Sequence, residues 1–164
     1  MKFEKISYTQ FKKDNIDTMC GYEQIKLPQR ATKSSAGYDI YSVKGFELKP
    51  RQSILLPTGI KAQLDSDKFL LILPRSGQGF KYKVQLYNTA GVIDCDYYNN
   101  QKNEGHIWVK LYNDSPDGET LIVKQGDAIC QGVILKYFIV DDDISTNIRK
   151  GGFGSTTIKE DSND

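Results

Sequence analysis

The chain has 164 residues, of which 26% are charged, and its formal net charge at pH 7 is +1. This length suits one domain with a single hydrophobic core. The near-neutral balance provides no basic field for duplex nucleic acid and no charge excess of the kind that keeps chains disordered. The sequence contains no run of about 18 apolar residues, which is what a membrane span needs. We therefore expect neither a membrane nor nucleic acid as a direct partner.

The amino-terminal region gives weak structural signals. The first ten residues lack the apolar core of a signal peptide, and residues 10–19 are interpreted as a surface loop. The three cysteines form no C-x-x-C pair, and one histidine, His106, leaves too few ligands for a structural zinc site. We expect reduced thiols and a cytoplasmic location.

Strand signals dominate the rest of the chain. Residues 69–73 form a short apolar run typical of a buried strand, and residues 107–112 alternate with the period of a half-buried strand. Residues 128–140 are too long for one strand, so a bend is expected at Gly132. Turn sequences occur at residues 57–59, 76–77, 113–118 and 125–127. One short helix is predicted over residues 78–86, and the whole pattern indicates an all-β sandwich, jelly roll or barrel.

Five short segments carry the candidate chemistry. The chain has no G-x-x-x-x-G-K-[ST] loop, and its glycine-rich segment does not open a helix in a βαβ unit. In chain order the segments are A-G-Y-D at 36–39, P-R-S-G at 74–77, N-T-A-G-V-I-D-C-D-Y at 88–97, G-D at 126–127 with Gln131, and G-G-F-G-S-T at 151–156. Each alone is consistent with an ordinary turn or chain end. Their order and joint presence are informative.

This combination resembles the trimeric dUTPase family over about residues 27–156. The resemblance implies a distorted jelly-roll or β-barrel domain over residues 1–147 and a homotrimer with active sites at subunit boundaries. It implies hydrolysis of dUTP to dUMP and pyrophosphate with Mg²⁺, which keeps uracil out of DNA and supplies dUMP for thymidylate synthesis. A flexible arm, residues 148–164, is expected to cross to a neighbouring subunit and close its active site. Glycine suits such an arm because it permits both disorder and close backbone approach to phosphates.

The third segment resembles the family's catalytic and base-recognition motif. Asp94 matches the carboxylate that activates water for in-line attack on the α-phosphorus, as a general base. Tyr97 matches the tyrosine whose ring packs on deoxyribose and excludes a ribose 2′-hydroxyl by its bulk. Asn88 and the backbone around Gly91 match the hairpin that recognises the edge of uracil by hydrogen bonds.

Three further segments match phosphate-binding elements of the family. Arg75, Ser76 and Gly77 provide a planar guanidinium and backbone amides at a helix start. Gln131 matches a neutral phosphate contact. Asp39 matches a carboxylate near the metal–water network, and an ordinary turn carboxylate stays an alternative. The resemblance implies that Mg²⁺ is held by the three phosphates and water, with no direct protein ligand.

The arm supplies the last predicted substrate contacts. The resemblance implies that Phe153 stacks on uracil, which contributes roughly 1–3 kcal/mol in nucleotide-binding contexts. Gly154, Ser155 and Thr156 are expected to bind the γ-phosphate through amides and hydroxyls, together with Arg149. An alternative for the phenylalanine is that it anchors the tail to its own core.

The sequence departs from the family pattern at three places. Arg149 lies four residues before the phenylalanine rather than five, where Ile148 stands, and Thr157 replaces the usual final glycine. About six extra residues lie within residues 98–104 (Tyr98 to Glu104), and they predict a polar hairpin that shapes access to the site or binds a regulatory protein. The residues before position 27 fit the family's first strand poorly, as if a loop were inserted.

Two other functions stay open. A dCTP deaminase, or a bifunctional deaminase that also hydrolyses dUTP, shares the implied fold, although Tyr97 and the G-G-F-G segment favour the pyrophosphatase. A protein-binding regulator on the same scaffold belongs to a different class, and fold alone does not separate it from an enzyme. His106 is interpreted as a strand residue rather than a catalyst.

Overall fold

The structure, a computed structural model, describes residues 1–147, 149 and 151. The strands in this part of the chain are β1 (Lys2–Lys5), β2 (Gln29–Arg30), β3 (Gly37–Tyr41), β4 (Phe46–Leu48), β5 (Ser53–Pro57), β6 (Ile60–Gln63), β7 (Lys68–Leu73), β8 (Val84–Leu86), β9 (Gly91–Ile93), β10 (Trp108–Asn113), β11 (Leu121–Val123) and β12 (Ala128–Lys136). The α-helices are α1 (Tyr8–Lys13) and α2 (Ser76–Tyr82), and 3₁₀ turns lie at Ile16–Thr18, Tyr22–Gln24 and Cys95–Tyr97. Over these described residues, no helix is long and apolar enough to cross a membrane.

The strands pair antiparallel into a five-stranded sheet of order β2-β3-β12-β7-β9, a three-stranded sheet β5-β10-β8 and the pairs β1-β6 and β4-β11. Alternating side chains of these strands point inward, as the period of two requires. They meet in a core that includes Ile40, Leu56, Leu70, Leu111 and Ile129. The all-β prediction is confirmed.

Strand predictions in the middle of the chain are confirmed, and the prediction for the last strand needs correction. β7 and β10 lie within one residue of their predicted bounds. β12 ends at Lys136, and its irregularity lies between Ala128 and Cys130 rather than at Gly132. Gly132 has a different role, because a Cβ there would lie only 2.8 Å from Leu70 Cδ1. The glycine therefore lets β12 and β7 pack closely.

The predicted helix over residues 78–86 is wrong at both ends. α2 begins at Ser76 and ends at Tyr82, after which Lys83 adopts a left-handed conformation with φ of 48°. Val84 and Leu86 then enter β8 and are buried there. Burial of these two apolar side chains against β10 outweighs any local helical preference.

The prediction of a surface loop over residues 10–19 is also wrong. This segment holds the last four residues of α1 and a 3₁₀ turn, and Phe11 and Ile16 are 2% and 0% exposed. The Ser7 side chain caps α1 by accepting a hydrogen bond from the backbone N–H of Gln10, at 3.1 Å. A serine followed three residues later by glutamine is a capping signature that was available in the sequence.

Residues 98–104 form consecutive turns rather than the predicted hairpin. The Asn100 side-chain oxygen accepts from the backbone N–H of Lys102 and of Asn103, at 3.1 and 3.2 Å. This Asx-type bonding satisfies the backbone locally and leaves no strand to pair. The segment packs on the amino-terminal region, where the backbone N–H of Ser7 donates to the Glu104 carboxylate at 2.9 Å.

His106 precedes β10 instead of lying within a strand, so that part of its interpretation is wrong. Its imidazole is fully buried, with Nδ1 2.7 Å from the Asp14 carboxylate and Nε2 accepting the backbone N–H of Gly59 at 2.9 Å. An Nε2 that accepts cannot carry a proton, so the ring is the neutral Nδ1–H tautomer. Burial lowers the pKa of His106, against the opposing effect of Asp14. The three cysteines are free thiols, as expected.

Candidate active site

One cleft forms where three of the predicted segments meet at one edge of the large sheet. Gln131 on β12 lies opposite Asp39 on β3 and opposite Leu73 at the end of β7. Arg75 lies two residues after the end of β7, at the N-cap position of α2. Because β3 and β7 both pair with β12 at Gln131, side chains that are far apart in the sequence come together here. We name this region the phosphate cleft, lined by Ala31, Ser35, Ala36, Gly37, Asp39, Arg75, Ser76, Gly77, Gln131 and Val133, with a volume of about 630 Å³.

Hydrogen bonds fix the polar groups of the phosphate cleft. Arg75 donates from Nε and Nη2 to the two carboxylate oxygens of Asp39, at 3.0 and 3.4 Å. Gln131 donates from Nε2 to the carbonyl of Pro74 at 3.1 Å. Gly37 lies against this side chain, because a Cβ at this position would lie 2.4 Å from the Gln131 side-chain oxygen and would displace it. The cleft therefore presents a pre-oriented guanidinium, an amide and an acceptor to a polar ligand.

A second group of predicted residues lies after β9. Asp94 precedes the 3₁₀ turn Cys95–Tyr97, and its side chain is 47% exposed. Arg149 donates from Nη2 to Asp94 at 2.5 Å and from Nε to Asp96 at 2.8 Å. The described end of the arm thus lies against carboxylates of its own chain. Asp96 was not predicted as a site residue, although a second carboxylate two positions after the first was visible in the sequence.

Tyr97 lies beside this carboxylate pair and is 5% exposed. Its hydroxyl donates to the backbone carbonyl of His106 at 3.0 Å and accepts from the Asn103 side-chain amide at 2.8 Å. Burial is the main reason that the pKa of Tyr97 is raised. The guanidinium carbon of Arg149 lies 5.9 Å from the ring centroid, within cation–π range. A small cavity of about 40 Å³ lies between these groups, lined by Val92, Ile93, Asp94, Tyr97 and Arg149.

The predicted uracil hairpin is a turn that connects β8 to β9. Thr89, with φ of 71°, donates its backbone N–H to the Leu86 carbonyl at 2.9 Å, and Asn88 at the tip is exposed. Gly91 begins β9 opposite Ile72, where a Cβ would lie 3.2 Å from the Ile72 Cβ. The turn therefore exposes backbone and amide groups next to a tightly packed strand.

The phosphate cleft and Asp94 lie at opposite ends of β7. Ile93 pairs with Leu70, so Asp94 lies near the first residues of β7, whereas Arg75 follows its far end. About six residue positions at roughly 3.3 Å each separate them by roughly 20 Å along the strand. The phosphate cleft shares no lining residue with the cavities that Asp94 lines. One chain thus does not bring Asp94 to the ligand position beside Arg75.

Several predictions lie outside the described residues. These are the predictions for Ile148, Phe153, Gly154, Ser155, Thr156 and Thr157. Within the residues that the structure does describe, no group of three or more His, Cys, Asp or Glu side chains is placed to hold a metal ion.

The chain matches known proteins over most of its length. The dUTPase family model matches residues 23–157. The deoxyuridine 5′-triphosphate nucleotidohydrolase of Lactococcus lactis subsp. lactis strain IL1403 is 38% identical over 134 residues, which cover 80% of this chain and 88% of that protein. The solved dUTPase of Streptococcus mutans has a TM-score of 0.68 and 33% identity, covering 86% of this chain and 99% of that one.

A more distant solved structure is a mutant dUTPase from phage phi11 of S. aureus, which coordinates a structural Mg(II) ion. It has a TM-score of 0.61 and 21% identity, covering 76% of this chain and 92% of that one, and at this identity the likeness shows the fold alone.

An all-β chain with a guanidinium-lined cleft and a half-exposed aspartate is consistent with the class of proteins that bind nucleotide phosphates. The matches make the assignment specific. The chain belongs to the dUTPase family, whose reaction is the hydrolysis of dUTP to dUMP and pyrophosphate. The resemblance found in the sequence is confirmed.

Proposed function

We propose that this chain hydrolyses dUTP with Asp94 as the general base. The observation that carries the proposal is the position of Asp94 at the end of β9, half-exposed, without a capping bond to its own 3₁₀ turn and beside Tyr97. A carboxylate in this state can accept a proton from water. The water oxygen bonds to the α-phosphorus, the bond from that phosphorus to the bridging oxygen breaks, and pyrophosphate leaves. The proton passes to Asp94.

The phosphate cleft is proposed to bind the triphosphate of a second copy's site. Arg75 would release part of its pairing with Asp39 and donate to phosphate oxygens, with the amides of Ser76 and Gly77 and the amide of Gln131 as further donors. Since this cleft and Asp94 are separated by roughly 20 Å along β7, a complete site needs residues from more than one subunit.

A homotrimer provides such shared sites and is the assembly we propose. An apolar segment near the end of the described chain supports self-association, because its large side chains are 65–91% exposed in one subunit: Phe138, Ile139, Val140 and Ile144. Several large exposed apolar side chains within one short segment are typical of an interaction site. The arm from residue 148 onward would then close over a neighbouring subunit, with Phe153 on uracil and Gly154, Ser155 and Thr156 on the γ-phosphate.

Arg149 fits this proposal as an arm residue that changes partners. Its guanidinium contacts Asp94 and Asp96 and lies over the Tyr97 ring. The attacking water and the deoxyribose would occupy the space beside Asp94 and Tyr97, so the Arg149 guanidinium must move away before the reaction. The γ-phosphate offers it an equivalent anionic partner.

Magnesium is the proposed metal cofactor, and Asp39 fits a role in its water shell. The Asp39 side chain is 18% exposed at the wall of the phosphate cleft, and each of its oxygens accepts one bond from Arg75. A carboxylate oxygen has a second lone pair, which can accept from a metal-bound water. Bound Mg²⁺ supplies charge neutralisation on the phosphates. We propose that phosphates and water, rather than protein side chains, are its ligands.

A second, protein-binding role is proposed for residues 98–104. Asn99, Gln101 and Lys102 are exposed there, whereas the rest of this segment packs inward. Capture of a protein by the wild type but not by a chain with alanine at these three positions would support a regulatory partner; equal capture would exclude this surface.

The decisive experiment measures pyrophosphate and ammonia separately with dUTP, dCTP, dTTP and UTP. We expect pyrophosphate from dUTP, and Asp94→Asn is expected to lower kcat by roughly 10²–10⁴-fold with dUTP binding retained. Asp117→Asn, the same chemical change at an exposed turn, is the matched control and should keep full activity. Ammonia release from dCTP would instead support the deaminase, and normal turnover by Asp94→Asn would exclude it as the base.

A further inference from the structure

We infer that Asn103, in the segment that departs from the family pattern, is a positioning residue that holds the Tyr97 ring and thereby contributes to the selection of deoxyribose over ribose. The inference rests on the proposed function, in which Tyr97 packs on the sugar. It starts from one contact: the Asn103 side-chain Nδ2 donates to the Tyr97 hydroxyl at 2.8 Å.

The orientation of the Asn103 amide is fixed by its other partners. Its Oδ1 accepts from the backbone N–H of Gly105 at 3.2 Å and from the Asn100 side-chain Nδ2 at 2.8 Å. The oxygen must therefore face these two donors, which turns the NH₂ group towards Tyr97. Since an amide NH₂ only donates, the tyrosine hydroxyl accepts this bond and gives its own hydrogen to the His106 carbonyl, at 3.0 Å.

The same segment also holds the backbone of Tyr97. The Asn100 Nδ2 donates to the Tyr97 carbonyl at 2.8 Å. Gly105 packs directly on this carbonyl, because a Cβ at Gly105, where φ is 81°, would lie 2.6 Å from it. Contacts from this segment thus fix Tyr97 both at its backbone oxygen and at its phenolic oxygen.

Hydrogen bonds from the amino-terminal region and from β6 hold residues 98–104 in place. Glu104 accepts from the backbone N–H of Ser7 at 2.9 Å and from Lys61 Nζ at 3.3 Å. Lys13 Nζ donates to the Lys102 carbonyl at 2.9 Å. These bonds connect the segment to α1 and β6, so its asparagines do not move independently of the domain.

The position of the Tyr97 ring matters because steric exclusion of a ribose 2′-hydroxyl requires a ring that is not displaced when the hydroxyl approaches. Discrimination against an added hydroxyl is modest when a pocket can relax. Hydrogen bonds at the phenolic oxygen fix the ring against displacement away from the sugar. Loss of one neutral hydrogen bond corresponds to roughly a 3- to 10-fold change in an equilibrium or rate ratio, which is the change we expect in discrimination.

The test measures the ratio of kcat/KM for dUTP to kcat/KM for UTP in the assembled enzyme. Asn103→Ala removes the bond from the amide to the Tyr97 hydroxyl and should lower the ratio roughly 3- to 10-fold. Tyr97→Phe removes this bond and also the bond to the His106 carbonyl, so it should lower the ratio at least as far. The ratio of the double variant should fall by less than the product of the two single effects, because both single changes remove the same bond between amide and hydroxyl. Gln52→Ala, which removes an exposed side-chain amide just before β5, is the matched control and should leave the ratio unchanged.

The outcomes separate this inference from the proposed function. Equal losses of dUTP and UTP turnover in Asn103→Ala, or additive effects in the double variant, would overturn the positioning role. Tyr97→Ala supplies the other control. If it leaves the ratio unchanged, Tyr97 does not face the sugar, and that part of the proposed function fails; if it lowers the ratio while Asn103→Ala does not, only the inference fails.

Discussion

Asp14→Ala is expected to destabilise the fold strongly, although the sequence placed this residue in a surface loop. The Asp14 carboxylate accepts from the buried His106 imidazole and from the Gln10 side-chain amide, both at 2.7 Å. After the substitution, the imidazole Nδ1–H has lost its acceptor at a residue that is 0% exposed. The ring cannot exchange tautomers without losing the bond from the backbone N–H of Gly59.

The magnitude follows from these contacts. An unsatisfied buried donor costs roughly 1–3 kcal/mol, and the Gln10 amide, which is 5% exposed, loses its acceptor as well. The Asp14 side chain is 16% exposed, so water can replace part of what is lost. We therefore expect a loss of about 2–3 kcal/mol in the free energy of unfolding, which is about a 1 M shift in the urea midpoint.

Equilibrium unfolding in urea at one fixed subunit concentration measures this effect, because association contributes to apparent stability. The matched control is Asp17→Ala, which removes a carboxylate from the same region. Asp17 pairs at 3.5 Å with Lys12, whose side chain is 55% exposed, and this surface pair is worth at most about 1 kcal/mol. Equal midpoints for the two variants would refute the assignment of a buried network around His106.

Three more predictions concern stability and the arm. Stability should fall as pH decreases below about 6.5, because the unfolded His106 binds a proton that the folded ring, with its lowered pKa, does not; urea midpoints that stay level from pH 8 to 5.5 would contradict this. Gly105→Ala should cost about 2–4 kcal/mol, since its Cβ meets backbone at 2.6 Å, whereas Gly118→Ala, also at positive φ but with open space, should cost about 1–2 kcal/mol in the same urea assay. Deleting the residues after Arg149 should leave a folded trimer with severely reduced dUTPase activity, as measured by light scattering and pyrophosphate release; a monomer would show that the arm is structural.

Local patterns predicted the central strands because their signal is independent of the rest of the fold. The alternation of β10 is typical of a half-buried strand, and the apolar run of β7 is shorter than most helices and therefore favours a strand. α2 shows the limit of such reasoning. No local feature distinguishes residues 84–86 from the helix before them, and only the pairing of β8 with β10 decides their conformation.

The candidate site was predicted from motifs, but its arrangement was not. The proximity of Asp39 and Arg75 depends on two strand registers that meet at Gln131, and registers between distant strands leave no trace in a single sequence. The contact of Arg149 with Asp94 is equally non-local. The roles of all the site residues, inside and beyond the described chain, stay predictions.

Two of the departures from the family pattern, the residues before position 27 and residues 98–104, form one structural unit beside the proposed catalytic segment. An insertion after Tyr97 adds polar backbone next to a buried ring, which costs free energy unless each group is bonded. Asn100 and Asn103 satisfy that backbone from within. The amino-terminal helix supplies the remaining partners: Ser7 binds Glu104, and Asp14 binds the histidine that follows. Each of these two segments therefore provides hydrogen-bond partners for polar groups that the other segment buries. Together they surround Tyr97, the residue proposed to contact the sugar.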